Sequence, residues 1–425
     1  MKKSKPLTIY ILLAMILGII AGYACNKAFP DKQVAASISG YISLITDLFL
    51  RLIKMIIAPL VFSTLVVGIA HMGDSKTVGR IGAKTMGWFI TASLMSLTLG
   101  LIMVTILRPG ENIGLPLPDL TASSNLKTAS FSIKEFVTHL VPTSIFAALA
   151  GNEMLQIVVF AIFFGLGAAA LGELTKPMIL LIDQAALVML KITGNVMKMA
   201  PLAVFAAIAS TITTQGIGIL VTYAKFMGGF YLSLIMLWGL LILAGYVFLG
   251  PRTTRLVTYI REPFLLAFST ASSEAAYPKL LSQLERFGVS SRITSFVLPM
   301  GYSFNLDGSM MYCTFASIFI AQAYNVHLSL GTEIAMLLLL MVTSKGMAGV
   351  PRASLVVISA TLTTFNIPEA GLLLIMGVDQ FLDMGRSATN AVGNSIAAAV
   401  VAKWEGELSA EGEPETGTTP VPAEA

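Results

Sequence analysis

Read from its start, the chain is a succession of long apolar runs separated by short charged loops. A membrane-crossing helix needs about 20 apolar residues, and runs of at least that length cover about 7–29, 40–71, 85–108, 143–172, 177–213 and 219–250. Each is predicted to be a spanning helix, and the longer ones predict tilt or extra turns beyond the lipid. The first run follows a basic head, "MKKSK", as a secretory leader does. It is nevertheless of spanning length, lacks a clear small-x-small cleavage site and is followed by further spans, so it is read as an uncleaved first helix.

After residue 250 the pattern changes. The segment "PFLLAFSTASSEAAYP" (263–278) is apolar, then polar, then stopped by Pro278. It is too short and too polar to cross, and basic residues flank both sides: Arg252, Arg255 and Arg261 before it, Lys279, Arg286 and Arg292 after it. A crossing would export one of these clusters against the positive-inside rule, so the chain is predicted to dip in from the cytoplasm and return. In "AMLLLLMVTSKGMAGVPRASLVVISATL" (335–362) two apolar halves of about ten residues, each too short to span, flank a Gly/Pro break. Backbone freed by such a break is tolerated in a membrane only where it is buried in protein or lines a cavity. The alternative reading is one long kinked helix. Between these segments "PMGYSFNLDGSMMY" (299–312) is a helix interrupted at "NLDGS", with Asn305, Asp307 and Ser309 beside Gly308. An intramembrane aspartate marks a functional site by default; the alternative is a hydrogen-bonded structural carboxylate.

The last run contains "VDQFLDMGRSATNAVGN" (378–394). At about 100° per residue, Asp379, Asp383, Arg386, Ser387, Asn390 and Asn394 share one face, while Phe381, Leu382, Met384 and Ala388 lie opposite. This predicts an amphipathic helix inside a span, its polar stripe turned to protein or water. Asp383 and Arg386, three residues apart, could form a buried salt bridge, but that accounts for two of the six. A solute pathway accounts for all of them.

Composition and charge narrow the class. The 425 residues are 56% hydrophobic and 12% charged, against about 25% charged in soluble domains, so this is an integral membrane protein. A net charge of +4 without a basic, aromatic-interleaved patch argues against nucleic acid. Two cysteines, Cys25 and Cys313, make no disulfide framework, and the scattered His71, His139 and His327 make no histidine metal site. Basic residues at Lys2, Lys3 and Lys5, at Lys76, Arg80 and Lys84, and at Arg252, Arg255 and Arg261 place the amino terminus and these loops in the cytoplasm. Lys403 places the carboxyl terminus there too, and the acidic Pro/Gly/Thr-rich tail beyond it is predicted to be disordered. Two interrupted hairpins, a broken helix with an aspartate and a polar-faced last helix describe a secondary transporter, in which discontinuous helices present termini and bare carbonyls to substrate and ions. An intramembrane enzyme is disfavoured by the lack of GxSxG or HExxH; a channel would use similar parts.

The pieces "RLIKMIIAPLVFSTLVVGIA" (51–70), "STASSEAAYP", "GYSFNLDGS", "SKGMAGVP" and "DMGRSATNAVGN" stand in one order along the chain. In these the sequence resembles the dicarboxylate/amino acid:cation symporter family, which contains the glutamate transporters. The resemblance implies an all-α protein of a bacterial inner membrane, with eight transmembrane helices and two re-entrant helical hairpins. It implies a homotrimer among membrane lipids, each protomer having a scaffold and a transport domain that moves like an elevator. The implied divisions are helices one and two in 1–84, helices three to six in 85–257, hairpin one in 258–290, broken helix seven in 291–328, hairpin two in 329–366, helix eight in 367–404 and the tail in 405–425.

The resemblance also implies roles. Asp383 matches the holder of a substrate amino group and Arg386 the partner of a side-chain carboxylate, a pairing suited to the guanidinium fork. With both kept, an acidic amino acid, L-aspartate or L-glutamate, is the expected solute; C4-dicarboxylates and neutral amino acids are the rivals. Ser273 and Asn390 match groups around the α-carboxylate, and Ser309 and Ser387 keep a hydroxyl where threonine is frequent. Gly349 and Val350 match backbone contacts of hairpin two, whose gate would comprise Ser344, Gly346, Gly349, Pro351 and Arg352. Arg352 departs from the pattern: it replaces a charge that some relatives carry at the positions of Ala271 and Met384, or it faces solvent.

No cofactor is implied beyond co-transported sodium or protons. Sodium ligands would come from Ser93, Gly301, Ser303, Asn305, Asp307, Ser344, Met347, Asn390 and Asn394. Asn394 stands where sodium-driven archaeal members have aspartate, and Ala92 where they have threonine, and losing a carboxylate weakens a hard-cation site. Glu274, in "SSE", resembles proton-using bacterial members, and a buried carboxyl can titrate in the working range. Proton coupling is therefore slightly favoured, against the alternative of Glu274 as a solvated hairpin tip.

Overall fold

Apolar runs this long become helices because a bilayer leaves no water to satisfy backbone groups. The structure is a computed structural model that describes residues 7–72, 75–111, 117–118, 138, 140–216, 223–344 and 353–409. Its helices are α1 (Leu7–Ala28), α2 (Lys32–Met72), α3 (Ser75–Leu107), α4 (Ile145–Gly151), α5 (Met154–Leu171), α6 (Lys176–Met197), α7 (Ala200–Gln215) and α8 (Ala224–Leu249). They continue as α9 (Arg252–Thr270), α10 (Ser273–Phe287), α11 (Ser291–Phe304), α12 (Asp307–Ala323), α13 (Leu330–Thr343), α14 (Ala353–Thr364), α15 (Leu372–Met376) and α16 (Asp379–Glu405). Among the described residues the only β pairing is one antiparallel bridge, Val289 with Leu408. The chain is an all-α membrane protein.

Two expected spans are divided. The run 143–172 breaks at Asn152, which takes a left-handed φ of 53° between α4 and α5. The run 177–213 breaks at Lys198–Met199 into α6 and α7. Pro201, in the first turn of α7, lacks an N–H and crowds the preceding turn, so a helix starts there more readily than it continues. Hydropathy is high on both sides of each break and conceals it. Among the described residues, five stretches are long and apolar enough to cross a membrane; one of them, Met154–Met197, contains the turn at Gly172, whose φ is +55°.

The helices fall into two packing groups. In the first, α1 and α2 pack on α7, and α2 also packs on α5 and α6. In the second, α16 packs against α8, α9, α10, α11 and α12, while α12 packs on α3 and α14. Helix α2 touches α10 and α11, and α5 touches α11, so these contacts join the groups. Phe226 and Phe230 of α8 lock onto Phe315 and Phe319 of α12, with Phe226 and Phe319 ring centroids 4.0 Å apart. Large apolar side chains such as Ile20, Leu181 and Val247 point outward from α1, α6 and α8, as lipid-facing positions do.

The tail expected from residue 405 begins ordered. Glu405 is still helical, Gly406 closes α16 with φ +73°, and the Ser290 N–H donates to Glu407 O while the Ser409 N–H donates to Gly288 O. Glu405 pairs with Arg80 and Lys84, and Glu407 with Arg292. Residues 410–425 lie outside the described residues.

Candidate functional site

Helix α11 stops at Phe304, Asn305 and Leu306 leave helical geometry, and α12 restarts at Asp307. The interruption expected at "NLDGS" is therefore an unwound two-residue step. It frees donors at the start of α12, and the side chain of Asn390 on α16 takes them. Its Oδ1 accepts from the Gly308 N–H at 2.9 Å and from the Ser309 N–H at 3.4 Å, while its Nδ2 donates to Ser309 Oγ at 3.2 Å. Gly308 permits this approach, since a Cβ there would collide with the Arg386 carbonyl.

Deeper in the same step, Asn305 Nδ2 donates to Asp307 Oδ2 at 3.1 Å and to Asn394 Oδ1 at 3.0 Å. Asn305, Asp307 and Asn394 are each fully buried. Asn305 Oδ1 and Asn394 Nδ2 make no hydrogen bond, and a buried unmet polar atom costs about 1–3 kcal/mol. The lone acceptor beside a carboxylate suits a cation, whereas the lone donor opposes one. Ser96 on α3 brings its hydroxyl within 3.4 Å of Asp307 Oδ1. The sequence pointed instead to Ser93, which is buried one turn earlier; Ser96 lies three residues on, on the same helical face, and periodicity does not tell which of the two serines reaches Asp307. Gly301 O accepts from the Asn305 N–H, and Ser303 is buried nearby.

The polar stripe of α16 faces protein: Asp379, Asp383, Ser387, Asn390 and Asn394 are all buried. Arg386 Nε donates to Asp383 Oδ1 at 2.8 Å, and its NH2 group reaches the same oxygen. Ser387 Oγ donates to that oxygen too, at 3.1 Å. The alternative weighed for this pair, a buried salt bridge, is thus present in this conformation. Two further residues, not singled out from the sequence, complete the surroundings. Ser354 on α14 accepts from Arg386 NH1, Tyr312 sets its ring 6.0 Å from the guanidinium, and the Tyr312 hydroxyl donates to Asp379 Oδ1 at 2.8 Å. Asp379 was visible as part of the stripe; Ser354 and Tyr312 had no signal in a single sequence, because their contacts join separate elements.

The first hairpin turns at Ala271, in a left-handed conformation, and Ser272 caps α10 by accepting from the Ala275 N–H. Ser273 opens α10 and its carbonyl accepts from Tyr302 at 2.9 Å. Glu274 points elsewhere than the stripe of α16, into an apolar gap lined by Ile57, Val61, Met154, Tyr277, Pro299 and Tyr302, with the Lys54 ammonium near enough to act on it. Ser344 ends α13 with its hydroxyl on Met341 O. The other expected gate and cation positions, Gly346, Met347, Gly349, Val350, Pro351 and Arg352, lie outside the described residues, and among the described residues no three His, Cys, Asp or Glu side chains gather as a metal site.

Comparison with known proteins now adds to this geometry. Residues 7–404 match the model of the sodium:dicarboxylate symporter family. The proton/sodium-glutamate symport protein of Bacillus caldotenax is 40% identical over 408 residues, covering 94% of this chain and 95% of that protein. The proton/glutamate-aspartate symporter of Escherichia coli (strain K12) is 41% identical over 405 residues, 93% of this chain and 92% of that protein. The C4-dicarboxylate transport protein of Laribacter hongkongensis is 38% identical over 415 residues, 96% of this chain and 92% of that protein. A broken helix crossed by a buried polar stripe and this match along nearly all of the chain lead to one assignment: it belongs to the sodium:dicarboxylate symporter family.

Proposed function

We propose that the protein is a secondary symporter that takes up L-aspartate or L-glutamate together with a cation. Relatives named for glutamate and relatives named for C4-dicarboxylates have nearly equal identity, so overall similarity leaves the solute open. The observation that carries the acidic amino acid reading is the pairing of Asp383 with Arg386 on the buried face of α16. An acidic amino acid brings an ammonium for Asp383 and a side-chain carboxylate for Arg386. While no solute is bound each residue neutralises the other, and a buried charge left alone would be costly. A C4-dicarboxylate offers Asp383 no ammonium, and a neutral amino acid offers Arg386 no carboxylate. Asn390, Ser309, Ser387 and Ser273 are the groups assigned to the α-carboxylate and its surroundings.

The two packing groups support an elevator: α1, α2 and α5–α7 as scaffold, α3 and α8–α16 as the moving unit, with α9–α10 and α13–α14 as re-entrant hairpins. The count of eight spanning helices, the homotrimer, both termini in the cytoplasm and the second hairpin as gate belong to the same proposal. For coupling, Glu274 is assigned as proton carrier, since it sits in the gap between the two groups. Asn305, Asp307 and the carbonyls around them are the place for sodium, and Asn305 Oδ1 supports that second reading.

The test is competition against labelled L-aspartate uptake in proteoliposomes. L-Glutamate should compete, while succinate and L-asparagine at equal concentration should leave uptake nearly unchanged. Succinate competing as well as L-glutamate would replace this reading with a dicarboxylate one.

A further inference from the structure

A guanidinium has five N–H donors in a fixed plane, and which of them meet the solute depends on which are already engaged. In Arg386 the Nε–H and one NH2 hydrogen go to Asp383 Oδ1, and NH1 goes to the hydroxyl of Ser354. The Tyr312 ring covers the plane at 6.0 Å, itself anchored by Asp379. One hydrogen on NH1 and one on NH2 have no partner among these contacts. With Ser354 on the NH1 hydrogen that points away from NH2, the pair left is the terminal edge of the fork, and its spacing fits the two oxygens of a carboxylate.

The supports come from different elements. Asp383 and Asp379 belong to α16 and Tyr312 to α12, whereas Ser354 reaches across from the first turn of α14, the returning arm of the second hairpin. Ser354 is 1% exposed, Leu355 beside it is fully buried, and the Cys313 thiol lies 3.9 Å from the Ser354 carbonyl. The hydroxyl is therefore fixed by packing, and Arg386 takes this orientation only with α14 seated against α12 and α16.

We propose that Ser354 is a specificity-determining positioning residue: it holds Arg386 NH1 so that the terminal NH1/NH2 edge, rather than the Nε side, faces the solute's side-chain carboxylate. This rests on the reading of Arg386 as the group that binds that carboxylate. Removing the hydroxyl leaves NH1 without its acceptor and Arg386 held on one side only, by Asp383, which weakens recognition of the second carboxylate and leaves the contacts of the amino-acid end in place.

The experiment is labelled L-aspartate uptake in proteoliposomes by the full-length wild type, Ser354→Ala and Ser354→Thr, with KM and maximal rate measured separately and L-asparagine added as competitor. Ser354→Ala should raise KM for L-aspartate about tenfold, the scale of one hydrogen bond to a charged group, with maximal rate unchanged and L-asparagine, added in excess, competing as weakly as it does with the wild type. Ser354→Thr, which keeps the oxygen, should restore the wild-type KM. An unchanged KM in Ser354→Ala would overturn the inference while leaving the acidic amino acid reading intact. So would a fall in maximal rate alone that threonine does not rescue, which is what a purely structural serine would give. A wild type that takes up no L-aspartate would overturn the reading itself, and the inference with it.

Discussion

The first helix and the last are both membrane segments, yet they are built on opposite plans. In α1 the large side chains face outward: Ile16, Leu17 and Ile20 are 55%, 57% and 59% exposed. In α16, 21 of 27 residues are buried, and they are chiefly Ala, Gly, Ser, Thr, Asn, Asp and Val. Lipid is as apolar as leucine, so hydrophobicity gives no reason to hide the large residues of α1, while small and polar residues let helices approach and hydrogen-bond. Burial in α16 therefore follows small size and polarity rather than oiliness. Gly393 illustrates it, since a Cβ there would run into the Asp307 carboxylate. The glycine exists so that α16 can lie against the start of α12.

The contrast can be broken most severely at the polar stripe. Arg386→Ala leaves Asp383 buried without its partner, a change of about 3–5 kcal/mol. We expect L-aspartate binding by the purified protein to weaken by more than about a hundredfold, measured by calorimetry; affinity within a few-fold of wild type would remove Arg386 from the site. Packing comes next. Phe319→Ala empties the aromatic contact with Phe226 and should cost about 3–5 kcal/mol, lowering the melting temperature in detergent, whereas Leu181→Ala, at a position 66% exposed, should shift it little. Equal shifts would mean that α6 is covered by protein rather than lipid. The smallest effect is expected at the C-terminal end of α16. Glu405→Gln loosens the pairs to Arg80 and Lys84, whose side chains are 56% and 35% exposed; screened pairs of this kind contribute about 0–1 kcal/mol each. A large loss of stability would show that the segment 405–409 is a structural clamp.

The same contrast explains what was legible in the sequence. The stripe of α16 could be read because six polar residues in an apolar run have one periodicity and one face. The break at Asn305–Leu306 could be read because Asn, Asp and Gly stand where a helix should continue. The breaks at Asn152 and before Pro201 were missed, since the runs around them are apolar on both sides and periodicity carries no mark of a turn. Ser96, Tyr312 and Ser354 were missed for another reason. Each acts on a residue in a distant part of the chain, and pattern within a single sequence does not report contacts between α3, α12, α14 and α16. The order seen at 405–409 was hidden as well, because an acidic, glycine-containing segment reads as solvated until its basic partners Arg80, Lys84 and Arg292 are found beside it.

The central claim is cation-coupled uptake of an acidic amino acid through the Asp383–Arg386 site. The most direct measurement is labelled L-aspartate accumulation in liposomes holding the purified protein, with inward proton and inward sodium gradients imposed separately, in the wild type and in Glu274→Gln. The account predicts concentrative uptake in the wild type, driven by the proton gradient and lost in Glu274→Gln; uptake driven by sodium and indifferent to Glu274→Gln would transfer the coupling to Asn305 and Asp307. Absence of concentrative uptake under both gradients, in protein shown to be folded, would contradict the account.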